Sequence, residues 1–221
     1  MGVEYLHIDV YWKHNCSNAS EPWKLNETID IYDNDPNDLD DTIGKISYLY
    51  HFKEDCCHEL RWYGMDILGN KETPKKQKHY VDVSPPEIIK TVGTPNCTID
   101  PGLVYCVTQD TLITFYANDV GCMGGVGLME LKYRIWNSEE GWGAWTLDID
   151  LDGETIQFSE DCMHYLEIMA TDYLGNTYTD NETFYVDSEA PYIIKIVGDP
   201  KIPYDIGQKV NPDYWVNCQT P

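Results

Sequence analysis

"EDCMHYLEIMATDYLGN", residues 160–176, decides the fold because the chain uses it twice. Its partner, "EDCCHELRWYGMDILGN" at 54–70, matches it without a gap at nine of seventeen positions. A second pair follows: "YVDVSPPEIIKTVGTP" (80–95) and "YVDSEAPYIIKIVGDP" (185–200) agree at ten of sixteen. The offsets are 106 residues for the first pair and 105 for the second. Such a period is the size of one β-sandwich, whereas solenoid turns repeat every ~20–50 residues.

Within the string the pattern alternates with period two. Cys162, His164, Leu166, Ile168 and Ala170 share one face of a strand, and Cys56, His58, Leu60, Trp62 and Gly64 share it in the first copy. Matches concentrate on that face, so it is the buried one. "DYLGN" then reads as a hairpin, with Gly175 free to take φ > 0 and Asp172 accepting turn amides. Asp66 and Asp172 are thus turn-formers. The next strand passes through "TFYVD" and stops at "SEAP", since proline cannot donate to a ladder.

Working outward, "LMELKYRIWNSEEGWGAWTLDIDLDGETIQF" (128–158) reads as two or three strands. Its counterpart begins almost at residue 1, so the first copy lacks the early strands that residues 86–128 give the second. The expected layout is a truncated repeat over 1–84, a complete one over 85–190 and the opening of a third over 191–221. That layout reads as a segment of a longer array.

The charge narrows the partners. Asp and Glu number 38 against 15 Lys and Arg, a formal net charge of −23. Phosphate backbones and anionic membrane surfaces would be repelled. No stretch is long enough to span a bilayer as a helix. Eight cysteines without a zinc-type C-x-x-C pair, and sequons at Asn15, Asn18, Asn26, Asn96 and Asn181, favour an oxidising, glycosylating exterior. No nucleophile elbow, H-E-x-x-H helix or phosphate-binding loop is present in the sequence, so the expectation is a protein without catalysis.

"YRIWNSEEGWGAW", "CMHYLEIMATDYLGN" and "FYVDSEAP" together resemble the immunoglobulin-like repeats of archaeal and bacterial cell-surface proteins. The resemblance implies an all-β fold of tandem immunoglobulin-like or fibronectin-III-like sandwiches. It also implies an extracellular, cell-surface location in stalks, surface layers or adhesive arms. The added cysteines depart from the common form and suggest a disulfide-stapled, archaeal variant.

On this reading Cys122 pairs with Cys162, and Cys97 with Cys106. Cys56 is left to Cys16, Cys218 or a thiol outside the chain. Cys56/His58 and Cys162/His164 each offer two ligands of a zinc site that wants four, so the histidines are expected to be packed rather than ligating. Calcium is the better metal candidate. Asp148, Asp150 and Asp152 have calcium-loop spacing, although the same stretch also reads as a hairpin with an Asp-Gly turn. "DNDPNDLDD" crowds Asp33, Asp35 and Asp38 with Asp40 and Asp41. Trp136, Trp142 and Trp145, with Trp12 and Trp23, suit either a sandwich core or a glycan-stacking platform.

The leading expectation is a spacer, lattice or filament subunit of a cell surface. An adhesin or carbohydrate-binding module is the alternative. Expected partners are neighbouring repeats, copies of the chain arranged head to tail, or glycans.

Overall fold

The chain folds entirely as β-structure in the computed structural model, which describes residues 2–33, 38, 44–199, 201–203 and 214–216. Among the described residues there is no helix, as the alternating pattern predicts. Two units are distinguished, Met1–Asp187 and Ser188–Pro221.

The first unit opens with β1 (Val3–Lys13), β2 (Lys24–Tyr32), β3 (Cys56–Asp66) and β4 (Lys75–Val81). They form one antiparallel sheet in the order β2-β1-β3-β4. Ten strands follow: β5 (Glu87–Val92), β6 (Asn96–Asp100), β7 (Val104–Val107), β8 (Ile113–Asn118), β9 (Leu128–Asn137), β10 (Gly141–Trp142), β11 (Thr146–Asp148), β12 (Glu154–Ile156), β13 (Met163–Asp172) and β14 (Thr177–Val186). They build a seven-stranded sheet, β10-β9-β13-β14-β7-β6 with β11 also on β9, and a three-stranded sheet, β12-β8-β5. Only β14 and β7 run parallel, the mark of a long connection rather than a hairpin.

The repeated string occupies equivalent places. In the second repeat β13 and β14 pair His164 with Phe184 and Leu166 with Glu182. In the first, β3 and β4 pair His58 with His79 and Leu60 with Gln77. The register is the same, because the period-two pattern fixes which face is buried.

The core of the second repeat lies between its two sheets. Ile113, Phe115 and Ala117 of β8 meet Leu131 of β9, Leu166, Ile168 and Ala170 of β13, and Phe184 and Val186 of β14, all buried. Each large side chain of this set contributes roughly 1.5–3 kcal/mol by leaving water. β5 packs over β13 and β14, where Lys90 reaches Asp180 and, at 2.7 Å, Glu182. The expected face is therefore the buried one here, with His164 beneath Phe158 at 4.4 Å between ring centroids.

The first repeat is built differently. Among the described residues no second sheet faces β2-β1-β3-β4. Residues 45–53 belong to no sheet, with Ile46, Tyr48, Tyr50 and Phe52 half-buried and their neighbours exposed. In the second unit, β15 (Lys201–Pro203) and β16 (Tyr214–Val216) pair antiparallel. Residues 191–197 precede them outside any sheet, with Tyr192, Ile193, Ile194 and Ile196 exposed.

Candidate functional site

Four carboxylates and a disulfide converge between the first two repeats. The linker "YVDVSPP" leaves β4 at Val81 and turns on two carboxylates. Asp55 accepts the Val83 amide at 2.6 Å and the Ser84 hydroxyl. Asp82 accepts the Ser84 amide at 3.2 Å and, from the second repeat, the Val126 amide at 2.7 Å. Opposite it, the loop "NDVGCMGGVG" folds around Asp119, which accepts from Gly121 and Gly127 at 3.3 and 2.6 Å. The hairpin after β13 completes the arrangement. Asp172, fully buried, accepts the amides of Leu174 and Asn176 at 2.8 and 2.9 Å, and Asn176 Nδ2 also donates to the Asp82 carbonyl.

Glycine is required where these carboxylates enter the loop. A Cβ on Gly121 would collide with the Asp82 carboxylate, and one on Gly125 with that of Asp119. Gly125 also has φ of 64°, in the left-handed region that side chains rarely adopt. Asp82, Asp119 and Asp172 consequently bring one oxygen each to within 4.8 Å of one another. Burial pushes the Asp82 carboxyl above its ordinary value, against the Val126 amide and with the charges of Asp119 and Asp55. Three hard oxygen donors at this spacing are of the type that could hold Ca²⁺.

A disulfide crosses the same junction. Cys56 is bonded to Cys122 with Cα atoms 4.9 Å apart, and the neighbouring Cys57 is bonded to Cys16 at 5.4 Å. Cys97 is bonded to Cys106 across the β6–β7 hairpin, where the two are register partners. The expected Cys122–Cys162 bond does not form: Cys162 is a free thiol, 3.3 Å from His164 Nε2. Cys56 has φ of 89°, which breaks the pleat at the first residue of β3. Cys122 was expected to bond Cys162 because each stands near the start of a core strand, but it bonds the repeat counterpart of Cys162, Cys56, in the preceding repeat. Cys218 lies outside the described residues. A groove of about 390 Å³ runs beside the crossing bond, lined in part by Tyr80, Met123, Val126 and Leu174.

The predicted calcium residues fall elsewhere. Asp148 is buried and accepts the amides of Asp150, Leu151 and Gly153 at 3.2, 3.0 and 2.8 Å. It caps the turn between β11 and β12, with Asp150 and Asp152 exposed, so the hairpin reading describes this stretch. Asp33 accepts the Gly44 amide and Asp38 the Ser47 amide, both at 2.9 Å. Asp35, Asp40 and Asp41 lie outside the described residues. The structure does bring Glu160, Cys162 and His164 together, the expected Cys-x-His pair plus one carboxylate.

None of the tryptophans whose side chains are described enters the buried core, contrary to the core reading. Trp142 and Trp145 lie under the Arg134 guanidinium at 4.4 and 4.5 Å, and Trp23 lies near Lys13 at 5.0 Å. Trp12 donates to the Asp55 carbonyl at 3.0 Å, and Trp136 leans on Tyr165. The sequon asparagines Asn18, Asn26, Asn96 and Asn181 are exposed, and Asn15 is half-buried in the 14–21 turn.

The junction carboxylates were not expected as a group. Asp172 reads correctly as a turn-former, and the glycines of "GCMGGVG" were the available signal. Their spacing marks a loop that carboxylates approach closely, but the partners lie far off in sequence, Asp82 at 39 residues before Gly121 and Asp172 at 45 residues after Gly127. No model of a known protein family matches the chain, and no curated protein matches it.

Proposed function

We propose that the chain is an extracellular structural module, a spacer or lattice unit of a cell surface built from tandem immunoglobulin-like sandwiches. The observation that supports this most is the Cys56–Cys122 bond, which ties two successive repeats together beside a linker already held by Asp55, Asp82 and Asp119. A binding loop needs freedom to adapt, whereas this junction spends its polar groups on its own amides. Stable disulfides fit an oxidising compartment, and no described helix is long and apolar enough to cross a membrane. The tryptophan faces that would stack on sugars are shared with Arg134 and lysines, so the adhesin reading has less support.

The test uses intact source cells and a membrane-impermeant amine label. The protein is expected to be modified before lysis, and non-reducing peptide mapping should return Cys56 joined to Cys122. Modification only after lysis, or a reduced Cys56 in native material, removes the reading. Saturable binding to a glycan panel would move it to the adhesin class.

A further inference from the structure

A lysine and two acids meet inside the second repeat. Lys90 stands between Ile88 and Val92 on the inward side of β5, the first strand of that repeat. Asp180 and Glu182 share the inward side of β14, its last strand, with the buried Phe184 and Val186. Packing of β5 over β14 brings the lysine Nζ to Asp180 Oδ2 and, at 2.7 Å, to Glu182 Oε1. Phe115 and Ile168, the register neighbours of Lys90 and Asp180, are fully buried and apolar.

The arrangement is poor as a simple ion pair. One cation faces two carboxylates, which leaves a surplus negative charge where charge is costly. Glu182 Oε2 is buried without a hydrogen-bond partner, although a buried pair stabilises only when its remaining lone pairs are satisfied. Burial pushes the Glu182 carboxyl above its ordinary value, against the hydrogen bond and charge of Lys90. A proton held on Glu182 removes the surplus charge. The three groups then form an amine, an acceptor carbon and a proton carrier, held in contact and largely away from water.

We propose that Lys90 and Asp180 condense into an amide, so that a covalent bond between side chains joins the first and last strands of the second repeat. Lys90 Nζ bonds to Asp180 Cγ, and the bond from Cγ to one Oδ breaks. Of the three protons on the ammonium, one stays on the amide nitrogen and two leave with that oxygen as water. Glu182 takes a proton from the nitrogen and returns it to the departing oxygen, so it ends as it began. No oxidant, reductant or cofactor enters. A hydrated ion pair resists this step, because a neutral amide forfeits the solvation of two charges; burial has already removed most of that solvation. Asp180, whose side chain is 27% exposed against 3% for Glu182, leaves the released water a way out. The ion pair is the state before reaction. In the shared register Lys75 and Gln77 hold the places of Asp180 and Glu182, so the first repeat has no counterpart of this triad. The proposal concerns the second repeat alone and is independent of where the protein resides.

The experiment weighs the full chain, expressed without glycans, folded and oxidised, then reduced and denatured for mass spectrometry. Wild type is expected to be lighter than its sequence by one water. A digest should contain one branched peptide joining Lys90 to Asp180, with trypsin failing to cut after Lys90. Lys90→Arg and Asp180→Ala should each restore the full mass. Glu182→Gln keeps the size of the side chain and removes the proton carrier; shown to be folded by circular dichroism, it should also weigh the full mass. Wild type at full sequence mass overturns the proposal. So does a missing water that persists in Lys90→Arg, as dehydration at the Asp152–Gly153 turn would give. A bond that still forms fully in Glu182→Gln overturns the step assigned to Glu182.

Discussion

Asp82 is the residue on which the junction's charge balance turns. Its carboxyl is pushed up by burial and by the neighbouring Asp119 and Asp55 charges. An acid whose folded pKa exceeds its unfolded one adds stability below the unfolded value, and that stability is lost as pH rises through the folded value. Asp82→Asn stays neutral throughout. The melting temperature of the variant relative to wild type is therefore expected to climb from about pH 4 toward neutrality and to level off below it. A constant difference across that range, in a thermal scan series, would mean that Asp82 does not titrate as its surroundings dictate. None of this was legible at the residue itself. "YVD" looks like a strand ending, and only the fold brings Asp119 and Asp172 to it.

At the scale of elements, β13 and β3 offer a controlled comparison. They share a sequence string and a register, but Leu166 lies in a closed core and Leu60 beside an open groove. Leu166→Ala is expected to cost about 2–5 kcal/mol, the range for a leucine deleted from a packed core. Leu60→Ala should cost clearly less, because the groove already admits water; denaturant unfolding of both variants checks the order. An equal loss would mean that Leu60 is covered in solution. The strands were readable because period two and a shared face survive in both copies. The Cys97–Cys106 pairing was readable too, but that of Cys56 with Cys122 was not, since it joins two repeats and a pattern read within one repeat does not register it. The tryptophans misled as well. Their size suggested a core, but Trp142 and Trp145 lie beneath the Arg134 guanidinium and Trp23 beside Lys13.

The whole molecule carries a formal net charge of −23, so like charges crowd a folded surface more than they crowd an extended chain. Added salt screens that repulsion over roughly 10 Å at 0.1 M. Raising sodium chloride from low concentration to about 0.5 M is expected to increase the melting temperature, since exposed repulsion is screened more than the buried Lys90–Glu182 pair. A flat or falling melting curve would assign the acidity no cost to folding. Repeat period, acidity and the use of cysteine in disulfides all belong to this scale, and all were readable from composition and spacing. How the repeats join was not, because it depends on a single bond between residues 66 apart.

That bond has a mechanical consequence. When the chain is pulled from its two ends, tension passes through sulfur from Cys56 to Cys122 and bypasses the linker. The 66-residue stretch between them cannot lengthen, which withholds about 220 Å of contour from any extension. The Cys16–Cys57 bond withholds the preceding stretch in the same way, so residues 16–122 would bear load without lengthening, and of the first repeat only the residues ahead of Cys16, with β1, could peel away.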